Sequence, residues 1–231
     1  MLLIQYGMQG SASSWAFRLC QRIAEAMGSD QAGLLAQSNA GSVPWSAIAG
    51  APLGGPHPNP WDVEAVAKSI PANQILVMKT HSAPHTGLGE LMRTGRVKAV
   101  ITTRDPFDIA ASLADKGKKA RAENKTEFAH VEDFDHGLRI ARWDVQRAAR
   151  WRFYPNVLEL PYRLIRSHPD VCIADCADFL GYDGDLEPVR KHLDTARPNF
   201  STGQEGRGLA ALGEEQLNNF LDIPFLSGST S

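Results

Sequence analysis

Two stretches of this 231-residue chain combine residue types that suit holding an anion. The first is Gly7-Met8-Gln9-Gly10-Ser11-Ala12-Ser13-Ser14, small residues between an apolar run and a helical pattern. Such a loop aims backbone N–H groups at a bound anion, and the dipole of the following helix assists. Laid over the phosphate-cradling pattern G-x-x-x-x-G-K-[S/T], Gly7 and Ser14 match, Ala12 replaces the second glycine and Ser13 stands where lysine belongs. That lysine normally reaches the β- and γ-phosphates, so the pattern argues against triphosphate hydrolysis. On its own the segment is read equally well as a serine-capped turn. The second stretch is Thr103-Arg104-Asp105-Pro106-Phe107-Asp108-Ile109-Ala110-Ala111-Ser112. Arg104 brings a planar donor fork and Ser112 a single hydroxyl, and a short turn and helix bring both to one anion. Alternatively Arg104 pairs with Asp105 or Asp108.

These residues need elements to position them. Leu2 to Tyr6, Gln74 to Met78, Val97 to Thr103 and Asn156 to Leu160 are short apolar runs, each read as a buried strand. Trp15, Leu19, Ile23 and Met27 recur at helical spacing with Arg18, Gln21, Arg22 and Glu25 opposite, so an amphipathic helix begins near Ser13. Further helices are expected over about 63–69, from Pro106 to about Ala114, from Leu138 to about Trp151, from Pro169 to Leu180, and near Glu214 to Phe220. The Gly/Pro-rich stretch 40–61 is expected to be a loop excursion. So is the charged stretch 115–136, with Lys116, Lys118, Lys119 and Arg121 as a solvated face. Strands alternating with helices imply an α/β fold, a three-layer sandwich about a central parallel sheet, in one domain over 1–231. Ligands in such sheets sit at the carboxyl ends of the strands. Those ends carry Gly7 to Ser14, Lys79-Thr80-His81 and Arg104.

Composition narrows the class. Net charge is −2, without the basic excess of a general nucleic-acid binder. No run reaches the ~18 apolar residues of a membrane helix, and the first residues lack the basic flank of a signal peptide. Three cysteines, Cys20, Cys172 and Cys176, are read as reduced and the protein as cytoplasmic. Cys172 and Cys176 are read as buried packing. His81 and His85 lack a third ligand, which argues against zinc; no metal is expected.

In this light the chain resembles the sulfotransferases that use 3′-phosphoadenosine 5′-phosphosulfate (PAPS). Residues 7–15 are similar to that family's 5′-phosphosulfate loop, P-[K/R]-S-G-[S/T]-T-W, and Lys79-Thr80-His81 to its K-[T/S]-H element. Arg104 to Ser112 matches the 3′-phosphate element R-[N/D]-P-x-D-x-x-x-S in residue type and spacing. Val157 to Tyr162 resembles the strand leading to a Y-E-D motif, and Phe179-Leu180-Gly181 the end of the following helix. Gly206-Arg207-Gly208 loosely resembles a C-terminal R-K-G element. The set occurs in family order across most of the chain.

The resemblance implies roles at the matching positions. Gln9, Gly10, Ser11, Ala12, Ser13, Ser14 and Trp15 would form the phosphosulfate loop, with Trp15 also against the adenine. Trp15 falls on the apolar stripe of its helix too. Arg104 and Ser112, with Arg207 and Gly208, would bind the 3′-phosphate, and Tyr162 would approach the adenine. His81 would be the general base, a task suited to its near-neutral reference pKa, and Lys79 would steady charge on the transferring group. The acceptor would be a hydroxyl of a small molecule, lipid or glycan, with adenosine 3′,5′-bisphosphate (PAP) as product. Trp45, His57 and Trp61 would face it. The departures are Gly10 where the family has lysine or arginine, Ala12 for the loop glycine and Arg163 after Tyr162. Either another cation, Lys79 or Arg207, replaces the one missing at Gly10, or activity is weak. The alternatives are a non-catalytic PAP-binding protein and a small-molecule kinase on the same scaffold.

Overall fold

The computed structural model describes residues 1–38, 60–85, 87–195, 205–210 and 212–213. In chain order the first elements are β1 (Leu2–Gly7), α1 (Ser13–Ala26), α2 (Gln31–Ser38), α3 (Pro60–Ser69), β2 (Leu76–Thr80), α4 (Leu88–Arg93) and β3 (Val97–Thr103). There follow α5 (Pro106–Ala122), α6 (Phe134–Arg152), β4 (Val157–Pro161), α7 (Tyr162–Ser167), α8 (Pro169–Leu180), α9 (Glu187–Thr195) and α10 (Arg207–Ala210). The chain divides into two units, residues 1–103 with 147–199, and residues 104–146 with 200–231.

The first unit is built on a four-stranded sheet in the order β2-β1-β3-β4. Every pairing is parallel, with Leu2 opposite Leu76 and Val97, and Ala99 opposite Val157. All six residues of β1 are buried, as they must be when helices cover both faces of a parallel sheet. The period of two sorts the side chains. Leu3, Val77, Val100 and Leu160 point to one face and pack with Trp15, Leu19, Cys20 and Ile23 of α1 and Ile173, Cys176 and Leu180 of α8. Leu2, Ile4 and Met78 point to the other, where Val63 of α3, Leu88 of α4 and Trp151 of α6 meet them. This is the three-layer α/β sandwich the alternation implies. The strand order reverses beside β1, so the carboxyl ends of β1 and β3 form the switch point at which ligands of such sheets sit.

All four expected strands form. Helix α8 ends at Gly181, whose φ of 78° suits glycine, and Lys98 Nζ donates to Phe179 O at 2.6 Å in the same turn. Cys20, Cys172 and Cys176 are buried free thiols, and Cys20 Sγ lies 3.9 Å from Cys176 Sγ. Burial pushes the Cys172 thiol up to about 11. Among the described residues no group of three or more His, Cys, Asp or Glu is placed to hold a metal ion. No helix among them is long and apolar enough to cross a membrane.

In the second unit the expectation of a loop over 115–136 needs correction. Helix α5 runs on to Ala122, and α6 already begins at Phe134. Lys118, Lys119 and Arg121 are exposed, but Lys116 is half-buried with Nζ 4.9 Å above the Phe128 ring, and Gly117 and Ala120 on the same helix are buried. Gly117 lets the returning chain touch the helix, since a Cβ there would meet Val131 O. Arg121 closes the return by donating to the carbonyls of Ala129, Val131 and Glu132 at 2.5–3.0 Å. A run of cations is thus a helix face because one of them satisfies backbone carbonyls. Of the loop expected over 40–61, Pro60 and Trp61 open α3. Residues 40–59 lie outside the described residues, as does the helix expected near Glu214.

Candidate active site

At the carboxyl end of β1 the chain turns through residues 8–12 into α1. Met8 N–H donates to Thr102 O at 3.1 Å, holding the loop to the end of β3. Gly7 is required there, because a Cβ would lie 2.1 Å from Ser13 Cβ. Ser11 is buried, donates its hydroxyl to Met8 O at 2.5 Å and sits 2.8 Å from Thr102 Oγ1. It braces the loop from inside. Gly10 and Ala12 have positive φ of 74° and 63°. For Ala12 that conformation carries the strain glycine avoids. Ala12 is the N-cap of α1, no side chain caps the helix and no acid sits in its first turn. Trp15 N–H turns back to Ala12 O at 3.0 Å, and a helix start without a side-chain cap suits an anion. Ser13 and Trp15 are buried, Trp15 within the core against the sheet.

Two residues that follow the strand pairing of β2 come to this loop. Lys79 lies opposite Gln5 in register, and its Nζ donates to Ser14 Oγ at 3.0 Å. His81, just past β2, places Nδ1 2.6 Å from Gly7 O. A carbonyl only accepts, so Nδ1 carries a proton, and whenever the ring is neutral its lone pair lies on Nε2. A backbone carbonyl thereby sets the tautomer of the neutral ring. The resemblance singled out His81 and Lys79. The partners, Gly7 O and Ser14 Oγ, are 74 and 65 positions away in sequence, and no local signal points to them. Tyr162 is buried at the start of α7, directly after β4.

The second unit gathers another group. Arg104 follows β3 and its side chain is 9% exposed, with Nη2 3.8 Å from Asp108 Oδ2. Asp105 caps α5 instead, accepting from Phe107 N and Asp108 N at 2.9 and 3.0 Å. Ser112 is buried two turns along α5. Asp108 accepts Gly206 N–H and Gly208 N–H, both at 3.0 Å, which docks the start of α10 on the first turn of α5. Gly208 has no room for a side chain, since a Cβ would lie 2.0 Å from the Phe107 carbonyl carbon. Arg207 pairs with Asp115 at 2.6 Å. Asp108 is the residue that sequence reasoning left without this task; its place in the matched motif was the available signal. Trp45 and His57 lie outside the described residues, as does the Trp61 side chain.

At the end of the sheet, then, an uncapped helix follows a small-residue loop, a lysine reaches that loop and a histidine ring meets the carbonyl of its first residue. A family model of the sulfotransferase domain matches residues 29–200, well over half of the chain. The chain belongs to the sulfotransferase family. Among solved structures, mouse sulfotransferase SULT7A1 complexed with PAP aligns over 95% of this chain and 81% of its own, with TM-score 0.58 and 15% identity. Retinol dehydratase, solved with androsterone and the inactive cofactor PAP, aligns over 95% of this chain and 78% of its own, with TM-score 0.51 and 18% identity. No curated protein sequence matches.

Proposed function

We propose that this sulfotransferase moves the sulfuryl group of PAPS to a hydroxyl of a small-molecule acceptor and releases PAP. PAPS supplies the group: the acceptor oxygen forms a bond to sulfur as the bond from sulfur to the 5′-phosphate oxygen breaks. The chain's residues do the rest. N–H groups of residues 12–14 and the α1 dipole hold the 5′ end, with Ser11 as the internal brace, its N–H donating to Met8 O at 3.2 Å. Lys79, fixed on Ser14, supplies the cation that Gly10 lacks. His81 Nε2 takes the proton of the acceptor hydroxyl. Arg104 and Ser112 bind the 3′-phosphate, Asp108 positions Gly208 and Arg207 beside them, and Trp15 and Tyr162 serve the adenine. The observation that carries this reading is the 2.6 Å contact of His81 Nδ1 with Gly7 O. It ties the proposed base to the first residue of the anion loop and leaves the basic nitrogen on the far side of the ring. We also read the chain as one catalytic domain, and the three free buried thiols support a cytoplasmic setting.

Calorimetric titration with PAP tests the reading, with ADP plus magnesium as comparison. PAP is expected to bind and ADP to bind far more weakly. Arg104→Ala is expected to lose about 10–100-fold in PAP affinity, the worth of a charge-assisted phosphate contact, with no change toward ADP. ADP–magnesium binding without PAP binding would replace this reading with a kinase. PAP binding with no transfer to any acceptor would make the chain a PAP-binding protein.

A further inference from the structure

Helix α5 carries Asp108, Ser112 and Lys116 at four-residue steps, and Arg104 stands just before its start within reach of Asp108. Residues four apart share one face of a helix. That face holds two cations and one carboxylate. Asp108 is already committed, since it accepts Gly206 N–H and Gly208 N–H at 3.0 Å and lies 3.8 Å from Arg104 Nη2. Arg207, the cation that α10 brings to α5, is matched by Asp115 at 2.6 Å. The face is left with an excess positive charge at Lys116.

Lys116 differs from its neighbours on the helix. Lys118 and Lys119 are exposed, and Lys119 pairs with Glu123 at 3.7 Å. Lys116 is half-buried, and among the described residues no ion pair holds its Nζ. Its ammonium lies 4.9 Å from the centroid of the Phe128 ring instead, attracted to the ring face. Phe128 has a φ of 63°, a left-handed conformation that costs a bulky residue strain. The turn that bears it packs on α5 at Gly117, where a Cβ would come 3.1 Å from Phe128 O. A side chain in a helix leans toward the helix N-terminus, so the Lys116 stem reaches back over the turn that carries Ser112. Burial holds the Lys116 pKa below the usual lysine value; Glu127 opposes that shift and the Arg104 guanidinium adds to it. Like charges that meet in a poorly hydrated place repel, and an anion between them removes the repulsion.

We propose that Lys116 is a further ligand of the 3′-phosphate of PAPS, binding it with Arg104 and Ser112, and that Phe128 is the positioning residue for its ammonium. The proposal rests on the sulfuryl-transfer reading given above. A phosphate monoester carries close to two negative charges at neutral pH. Arg104 shares its charge with Asp108, so a second cation is needed to match them. Bound there, the phosphate gives the half-buried ammonium the counter-charge that no carboxylate supplies.

The test is calorimetric titration of the full chain with PAP and with adenosine 5′-phosphate, which lacks the 3′-phosphate. Lys116→Met keeps the length of the stem and removes the charge. It is expected to weaken PAP by about tenfold or more and to leave adenosine 5′-phosphate within about threefold, because the lost contact belongs to the 3′-phosphate alone. Lys116→Arg, which keeps the cation, is expected to bind PAP within about threefold of the wild type. Lys118→Met removes an exposed charge from the same helix and is expected to leave both affinities unchanged. Phe128→Leu is expected to lose part of the PAP affinity and none of the affinity for adenosine 5′-phosphate. PAP affinity in Lys116→Met within about threefold of the wild type would overturn the proposal. An equal loss for both nucleotides, an equal loss in Lys118→Met, or a loss in Lys116→Arg as large as in Lys116→Met would do the same. Wild-type PAP affinity in Phe128→Leu removes Phe128 from its role. A wild type that does not bind PAP overturns the donor reading itself, a separate signature.

Discussion

Replacing Lys79 by methionine removes a cation from the anion loop and leaves a side chain of similar length. Its Nζ stands 3.0 Å from Ser14 Oγ in the first turn of α1, within a few ångströms of any anion held by that turn. Two unit charges at ~4 Å attract by ~4 kcal/mol at an effective dielectric of about 20, and catalysis uses only the part that grows in the transition state. Loss of one preorganised stabilising group of this kind costs ~2.7–4 kcal/mol, or about 10²–10³ in kcat. Single-turnover consumption of PAPS with an acceptor alcohol reads it directly, while PAP affinity is expected to change by less than about tenfold. Ser14→Ala serves as control: it deletes the hydrogen bond, keeps the charge and should cost about tenfold or less. Gly10→Lys in the Lys79→Met background tests whether the two positions exchange the same cation. It should regain about tenfold or more, though a side chain at the φ of 74° costs ~1–2 kcal/mol in stability. A Lys79→Met enzyme within about threefold of wild type would refute the argument that Lys79 replaces the loop cation.

Other expectations are independent of turnover. Ala12 occupies φ 63°, ψ 26°, so Ala12→Gly should stabilise the fold by ~0.5–1 kcal/mol after the entropy of the more flexible unfolded chain is counted, raising Tm by ~2–4 °C. A lowered Tm would show that the loop is not strained. Arg152 beside Glu159 holds its carboxyl below the ordinary range, and Thr103 Oγ1 adds a hydrogen bond. Glu159→Gln should therefore cost ~1 kcal/mol at pH 7, a discounted figure for a partly exposed pair. Because the folded pKa is depressed, that difference is fully present above the unfolded carboxyl value of ~4.3 and fades as pH falls through the folded one. Chemical denaturation of both proteins from pH 7 to pH 3 checks it; a constant difference contradicts the assignment. The three buried thiols should resist iodoacetamide at pH 8 in the native protein and all react in denaturant. Rapid native labelling of Cys172 would contradict its burial.

Much of the architecture was determined by sequence alone, because its causes are local. Four apolar runs could only be buried strands in a chain with helical segments between them, and Pro106 and Gly181 mark a helix start and a helix end by their own backbone preferences. The loop at residues 7–15, the Lys79-Thr80-His81 run and the Arg104 to Ser112 spacing were legible for the same reason: each is a contiguous segment at a strand end. Tertiary structure decided which partners those segments meet. The carbonyl of Gly7 fixes the His81 tautomer, Ser14 receives Lys79, Asp108 takes the N–H groups of Gly206 and Gly208, and Cys20 meets Cys176. The charged run after Ala114 misled because its order comes from one guanidinium on the carbonyls of a returning chain, while composition registers only its solvated side. Hydrogen bonds between distant residues depend on the sheet register and on how the helices pack, and neither is written in any short stretch of chain.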